Sequence, residues 1–438
     1  MPATPFSSLP MKFLHAADIH LDSPLCGLSA YPDAPAERLR TATRSAFVRL
    51  IDTALAEQVD FLVIAGDLYD GGWKDFNTGL FFVRQMGRLQ QAGIPVYLLH
   101  GNHDADSDMT SRLVLPENVH VFNSRKAQTF RIDALRVALH GHSFRTRETL
   151  DNLLPGYPAA VPGWLNIGVL HTALEGYSAH ARYAPCSLAE LQARGYQYWA
   201  LGHVHEQQLW AYPDCTIAFP GNLQGRHVRE TGARGALLVH ADDDRITQVQ
   251  PLELDVLRWA VLEVSVAEAD TFEQAVRLVG QSLQQLLAAL PDGHPAAVRV
   301  RLQGATAAHA ALLARQSQLR QEVIGQAVAL DADRLWIEKV QLASSPLERQ
   351  ALDDTDWQDT LQELDQLMQA AAQDPDWLKQ RADMVQQALG KVPNEVLQQE
   401  PDLAALLADT AAALPAWLTP SAQLLQARLQ QDDTGGQS

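Results

Sequence analysis

Five short apolar runs in the first half of this chain each stop at side chains able to hold a metal ion. Phe13-Leu14 leads into Ala17-Asp18-Ile19-His20, and Phe61-Leu62-Val63-Ile64-Ala65 into Gly66-Asp67. Val96-Tyr97-Leu98-Leu99 leads into Gly101-Asn102-His103-Asp104, Ile167-Gly168-Val169-Leu170 into His171, and Tyr198-Trp199-Ala200-Leu201 into Gly202-His203-Val204-His205. Runs of this length bounded by turn residues read as buried strands. A layered α/β fold builds its site beyond the carboxyl ends of such strands, so the five clusters are expected to converge.

The donor types narrow the chemistry. Asp18, His20, Asp67, Asn102, His171, His203 and His205 supply two carboxylates, an amide oxygen and four imidazoles. That set is enough for two adjacent divalent ions. Imidazole and carboxylate without thiolate suit Mn, Fe, Co or Zn, and four imidazoles argue against Mg or Ca. Two dications against two carboxylates leave roughly +2, which attracts an anionic phosphate. Paired metals activate water and stabilise the attacking and leaving oxygens of an in-line displacement. His103, if it is not a ligand, is placed to protonate a leaving alkoxide, with Asp104 orienting it. Any one of these clusters alone is a weak signal; His203 and His205 by themselves could be ordinary core or turn histidines.

The ordered set resembles the calcineurin-type metallophosphoesterases, whose pattern runs D-x-H, G-D-x-x-D/H, G-N-H-D/E, H and G-H-x-H. Every position is present, with Asp70 filling the last place of the second motif. The resemblance implies one metal on Asp18, His20, Asp67 and His205, and another on Asp67, Asn102, His171 and His203. Asp67 bridges them, and His103 is the non-ligand catalytic histidine. It also implies a two-sheet sandwich flanked by helices. Within the superfamily the chain is similar to SbcD-like DNA repair nucleases, in particular the YhaO-type bacterial exonucleases. That finer match lies in Asp18-Ile19-His20-Leu21-Asp22, Trp73-Lys74-Asp75-Phe76-Asn77, and Phe219-Pro220-Gly221-Asn222 through Arg226. Asp22 stands where SbcD itself generally has Gly, and Gly71 replaces the Arg expected in Ser/Thr phosphatases. Asp22, Asp70, Trp73, Lys74, Asn77 and Arg226 are therefore the candidate substrate contacts.

A net charge of −18 over 438 residues is awkward for a nucleic-acid enzyme. Its distribution softens the objection, because Gln341 to Ser438 holds 16 acidic and 5 basic residues, or −11 of the total. An acidic tail facing away from any polyanion is expected, with weak nonspecific DNA binding by the isolated chain. Three unpatterned cysteines fit a reducing cytoplasm and no structural zinc. No apolar run reaches the roughly 20 residues of a membrane span, and Met1 to Pro10 lacks the features of a signal peptide.

Four segments are expected: an N-terminal extension over 1–11, a catalytic α/β domain over 12–255, a small α+β capping domain over 256–343, and a helical region over 344–438. In the capping domain, Val298-Arg299-Val300-Arg301-Leu302 alternates as a half-buried strand. Arg299, Arg301, Arg315 and Arg320 are possible phosphate contacts there, although outward arginines are more often plain surface. Prolines at 375, 393, 401, 415 and 420 divide the last region into short helices. The same resemblance implies that this region docks on an SMC-like coiled-coil ATPase of the SbcC or YhaN type and that the chain pairs as a homodimer; a helical appendage folding back on its own core is the equal alternative for the region. The expected function is a cytoplasmic, manganese-type phosphodiesterase acting on DNA as exonuclease or endonuclease in double-strand break repair. The alternatives are a small-molecule phosphatase or cyclic-nucleotide phosphodiesterase, and a DNA-end binding protein that recruits the ATPase.

Overall fold

The run Phe61–Ala65 shows how the core is made. Successive side chains of a strand point to opposite faces, and here both faces are buried. Phe61, Val63 and Ala65 join one apolar cluster while Leu62 and Ile64 join another. In the computed structural model the described residues are 10–25, 36–70, 76–105, 113–174, 183–347 and 355–389, with scattered positions between 406 and 425. They divide into two compact units, one up to Trp259 and one from Ala260 onward.

In the first unit the elements run β1 (Met11–Ala16), α1 (Ala36–Ala56), β2 (Phe61–Ala65), α2 (Phe76–Gln91), β3 (Val96–Leu99), α3 (Asn102–Ala105) and β4 (Val119–Val121). There follow β5 (Gln128–Ile132), β6 (Val137–Gly141), β7 (Leu165–His171), α4 (Leu188–Ala193), β8 (Tyr198–Gly202), β9 (Gln208–Tyr212), β10 (Cys215–Phe219), β11 (Gly235–Asp242) and β12 (Arg245–Glu253). One six-stranded sheet has the order β12-β11-β1-β2-β3-β4 and the other β5-β6-β7-β8-β10-β9. The strands β1 to β4 are mutually parallel, as are β6, β7, β8 and β10. Parallel pairing puts the carboxyl ends of β1, β2 and β3 at one edge of the first sheet. It does the same for β7 and β8 in the second.

Three apolar layers hold this sandwich together. Leu14, Leu62, Ile64 and Leu98 pack under α1 and α2 through Phe47, Leu50, Phe82 and Met86. Phe13, Phe61, Val63 and Tyr97 meet Leu139, Ile167, Val169, Tyr198 and Ala218 between the sheets. On the far face, Trp199, Leu201, Ile217 and Phe219 pack with Tyr157, Leu191 and Tyr196. Each of these large side chains contributes about 1.5–3 kcal/mol through burial. His15 is a polar tie across the central layer: its Nδ1 lies 3.0 Å from the Tyr198 hydroxyl and its Nε2 3.1 Å from the Leu201 carbonyl.

The second unit is α+β. β13 (Arg258–Ser265) begins just before it, and α5 (Phe272–Ala289), β14 (Ala296–Thr306), α6 (His309–Ala314), α7 (Gln316–Asp331) and β15 (Leu335–Pro346) follow. The strands order as β13-β14-β15, with β14 and β15 parallel. Thr271 caps α5 by accepting from the Gln274 backbone N–H. The helical stretch between β14 and β15 is broken at Arg315, whose backbone leaves helical geometry between α6 and α7. Of the four arginines weighed as phosphate contacts, three are paired locally. Arg299 grips Glu338 through two bonds of 2.7 and 2.5 Å, Arg301 lies 3.8 Å from Glu263, and Arg315 lies 3.8 Å from Glu273 with its guanidinium over the Phe272 ring. Beyond them, α8 (Thr355–Gln373) and α9 (Pro375–Leu389) are helices, with Pro375 at the first position of α9 where a missing N–H costs nothing. Residues 1–9, Trp73, Lys74 and the tail from Asp432 lie outside the described residues.

Candidate metal centre

The loop leaving β1 is laid along the loop leaving β2. Asp18 N–H donates to the Gly66 carbonyl (3.0 Å) and His20 N–H to the Asp67 carbonyl (3.0 Å). That pairing holds both donor-bearing segments at the same edge. It does so through left-handed backbone: Asp18, His20, Asp67 and His203 have φ of 49°, 45°, 52° and 100°. Non-glycine residues adopt this conformation at a cost of about 1–3 kcal/mol each, and such strain gathers at functional sites.

Close approach of the sheets needs glycine at two positions. A Cβ on Gly202 would sit 2.0 Å from the Ala65 carbonyl oxygen, and one on Gly66 would sit 2.3 Å from His171 Nδ1. With neither Cβ present, the end of β8 abuts the end of β2, and His171 Nδ1 reaches the Ala65 carbonyl at 3.0 Å.

The seven expected donors are brought together. Asp18, His20 and His205 form one group, and Asp67, His171 and His203 another, each with its ligand atoms within 4.8 Å of one another. Asp67 also groups with His20 and His103, so it touches both halves. Asn102 Oδ1 lies 3.0 Å from His171 Nε2. Asp18, His20, Asp67, Asn102 and His171 are almost wholly buried.

These residues fit a pair of cations. With Nδ1 bonded to the Ala65 carbonyl, the neutral His171 ring turns its Nε2 lone pair toward the lone pairs of Asn102 Oδ1. His205 Nδ1 likewise lies 2.7 Å from Glu230 Oε1, leaving its Nε2 bare and 3.3 Å from His20 Nε2. Facing acceptors at such distances require a proton or a metal between them. Asp18 and Asp67, 1% and 2% exposed, have no Lys or Arg partner among the described residues, and buried carboxylates are ordinarily paired or metal-bound. Burial pushes Asp18 up. Burial would raise Asp67 too, but His171, His20 and His103 hold it well below the carboxylate range. His171 shows the complement: burial works to lower it, yet Asp67 and Asp18 raise it to about 9. His20 is held well below its ordinary value by burial and by Arg226. The cradle is a place that demands positive charge.

His103 and its carboxylate differ from the sequence expectation. Asp104 does not orient His103. Its Oδ1 accepts from Tyr69 N–H (2.9 Å), and its Oδ2 accepts from Leu68 N–H (3.2 Å) and Gly101 N–H (3.0 Å). Burial and the charge of Asp67 push it up to about 7 against those bonds. It clamps the loops after β2 and β3. The carboxylate beside His103 is Asp70, whose Oδ1 is 3.3 Å from His103 Nδ1, while its Oδ2 accepts from Ser23 Oγ at 2.8 Å. Adjacent residues of one helical turn point about 100° apart, which is why neighbours in sequence part company here.

Other candidates are also engaged within the protein. Asp22 is locked by Arg44 through two 2.6 Å bonds, and Arg226 reaches Ser23 Oγ at 3.3 Å and lies 3.9 Å from both Asp70 and Glu230. Asn77 is exposed at the start of α2. Glu230 has no counterpart among the residues that the sequence patterns single out. It is 5% exposed, takes the His205 ring through Oε1, and accepts from Asn222 Nδ2 (2.9 Å) and Arg226 N–H (2.7 Å) through Oε2. Burial works to raise it, but the His205 bond and the charges of Arg226, His205 and His227 hold it at about 2. Its only advance signal is the Pro220-Gly221-Asn222 turn that positions Asn222.

Comparison with known proteins agrees with this geometry. Residues 11–207 match the calcineurin-like phosphoesterase family, and residues 259–345 match the middle domain of the metallophosphoesterase YhaO. The chain is 35% identical over 297 residues to "Uncharacterized metallophosphoesterase YhaO" of Bacillus subtilis, covering 67% of this chain and 72% of that protein. It is 26% identical over 282 residues to "DNA double-strand break repair protein Mre11" of Methanopyrus kandleri, spanning 58% of this chain and 60% of that one. With one component of the nuclease SbcCD of Escherichia coli it shares 34% identity over 96 residues, 22% of either chain. Family match, two-sheet fold and paired donor groups lead to one assignment: the chain belongs to the calcineurin-like metallophosphoesterases.

Proposed function

We propose that this protein is a two-metal phosphodiesterase that cuts DNA, as exonuclease or endonuclease, in the repair of double-strand breaks. The observation that carries the chemistry is the convergence of two donor groups that share Asp67. The substrate reading rests on the similarity to the Mre11 and SbcCD proteins. In this reading Asp18, His20, Asp67 and His205 hold one ion, and Asp67, Asn102, His171 and His203 the other. Manganese is the proposed metal, with Fe, Co or Zn compatible with the donors. When bound, the ions lower the pKa of a water and offset the charge of the phosphate.

The chain's own residues do the rest. His103, 27% exposed in its side chain, protonates the departing oxygen, and Asp70 at 3.3 Å keeps the ring oriented and able to carry that proton. Asp104 fixes the loops that present Asp67 and His103. Asp22 acts through Arg44, and Arg226 through Ser23 and Asp70, as walls of the site. Trp73 and Lys74 remain substrate candidates on sequence grounds. We place the catalytic domain at 12–255, a capping domain at 256–343 and a helical region at 344–438 that docks on an SMC-like coiled-coil ATPase. The protein is read as a cytoplasmic homodimer. No described helix is long and apolar enough to cross a membrane.

The test is cleavage of labelled single-stranded, duplex and hairpin DNA by the purified chain with manganese, with and without the ATPase. Cleavage abolished by Asp67→Asn supports the reading. Ready hydrolysis of a chromogenic diester with every DNA form left intact favours a small-molecule phosphatase or cyclic-nucleotide phosphodiesterase instead.

A further inference from the structure

Between α1 and α2 lies a cavity of about 590 Å³, walled by Arg40 and Arg44 on one side and by Asn77, Phe81 and Arg84 on the other, with Asp22 at one end. Residues three and four apart on a helix share a face, so Arg40 with Arg44, and Asn77 with Phe81 and Arg84, all look into the same space. Asp22 is two residues beyond His20. Two trans peptides span at most about 7.6 Å, so this end of the cavity adjoins the metal-binding loop.

The three arginines are not equivalent. Arg44 is part of the wall: it is bound to Asp22 twice, donates to Thr78 Oγ1 at 2.9 Å, and lies 5.1 Å above the Phe81 ring. Arg40 and Arg84 are exposed, and among the described residues neither has a carboxylate within ion-pair distance. With Asp22 taken up by Arg44, the guanidinium groups of Arg40 and Arg84 leave the cavity lining with a net positive charge among the described residues. Leu80, 46% exposed, and half-buried Phe81 add an apolar strip beside them. Cationic groups along a groove with an apolar strip are the pattern of single-stranded nucleic-acid binding.

We propose that this cavity binds the sugar-phosphate backbone of one nucleic-acid strand as it leaves the metal centre. Arg40 and Arg84 each take a phosphate, Asn77 donates to a phosphate or sugar oxygen, and Leu80 with Phe81 supports the sugar or base. The inference rests on the reading of the protein as a nuclease and adds the residues that grip the strand outside the reacting phosphate.

The test measures binding of labelled oligo(dT) to the full chain across a salt series, in chelator so that nothing is cut. Arg40→Gln with Arg84→Gln should weaken binding about tenfold and make the salt slope shallower by about 1.4, the amount expected for two lost phosphate contacts on a single strand. Arg125→Gln with Arg245→Gln changes net charge equally at exposed positions outside the cavity and should leave binding within about twofold. Unchanged affinity and slope in the first pair overturn the proposal, as does an equal loss in the second. An equal loss of affinity for thymidine monophosphate would make this a mononucleotide pocket and likewise overturn it. Failure of the unaltered protein to bind any strand while it hydrolyses a chromogenic diester removes the nuclease reading, and this proposal with it.

Discussion

Glu230 holds the His205 imidazole from behind, Oε1 to Nδ1 at 2.7 Å, and so fixes which ring nitrogen faces His20 and Asp18. A carboxylate on the outer nitrogen sets the tautomer and raises the basicity of the inner one. Glu230→Ala should lower manganese affinity about 10- to 100-fold, measured by titration calorimetry. Glu230→Gln keeps an acceptor for Nδ1–H and should lose less. Equal affinity in all three proteins would show that Glu230 does nothing for the centre.

His103→Ala should keep both metals and lose turnover about 10²- to 10⁴-fold, the usual range for a proton-transfer group. Asp70→Asn should fall between that variant and the unaltered protein, because it leaves the ring in place without its charge partner. Metal content by elemental analysis and hydrolysis rates separate the outcomes. Loss of metal in His103→Ala would make His103 a ligand, which its grouping with His20 and Asp67 permits.

Gly202→Ala tests the approach of the two sheets. Its methyl group would lie 2.0 Å from the Ala65 carbonyl oxygen, so backbone must move. A destabilisation of about 1–3 kcal/mol is expected from the urea midpoint, with weakened metal binding. Gly156→Ala, where a Cβ meets nothing within 4 Å, is the neutral comparison.

Stability should fall in acid through His15. Burial holds its folded pKa down at about 3, against the opposing pull of its bond to the Leu201 carbonyl. Unfolded, it takes up a proton below about 6.5. Between those values the unfolded chain binds more protons, so the contribution is complete above pH 6.5 and is lost as pH drops, by up to about 1.4 kcal/mol per pH unit. Urea unfolding at several pH values should show this slope, and His15→Gln should flatten it. Parallel profiles for the two proteins would rule His15 out as the source.

The strand ends and the seven donors are legible in the sequence because each is a local pattern: an apolar run, a glycine, a ligand-type side chain. β9, Gln208-Leu209-Trp210-Ala211-Tyr212 at the edge of its sheet, is apolar in composition yet largely exposed, so its place at an edge is not legible from its residues. Asp70 stands beside His103 where Asp104 is expected, since a one-turn helix turns neighbours away from each other while a loop brings a distant carboxylate back. Glu230 lies 25 residues beyond His205 with no motif of its own, so only the folded chain reveals it. The arginines of β14 are legible as outward, but their pairing with Glu338 and Glu263 depends on strand neighbours that spacing does not specify.

Both carboxylates and the amide among the seven donors come from the first sheet, while three of the four imidazoles come from the second. Each half of the centre therefore straddles the slab of aromatic and branched side chains between them, Phe13, Phe61, Tyr97, Ile167 and Tyr198 among them. A bound cation pair would act as a caliper on that slab. A cavity-forming change far from any phosphate, such as Ile167→Ala, would be felt as altered spacing of the jaws, and packing faults would masquerade as catalytic ones.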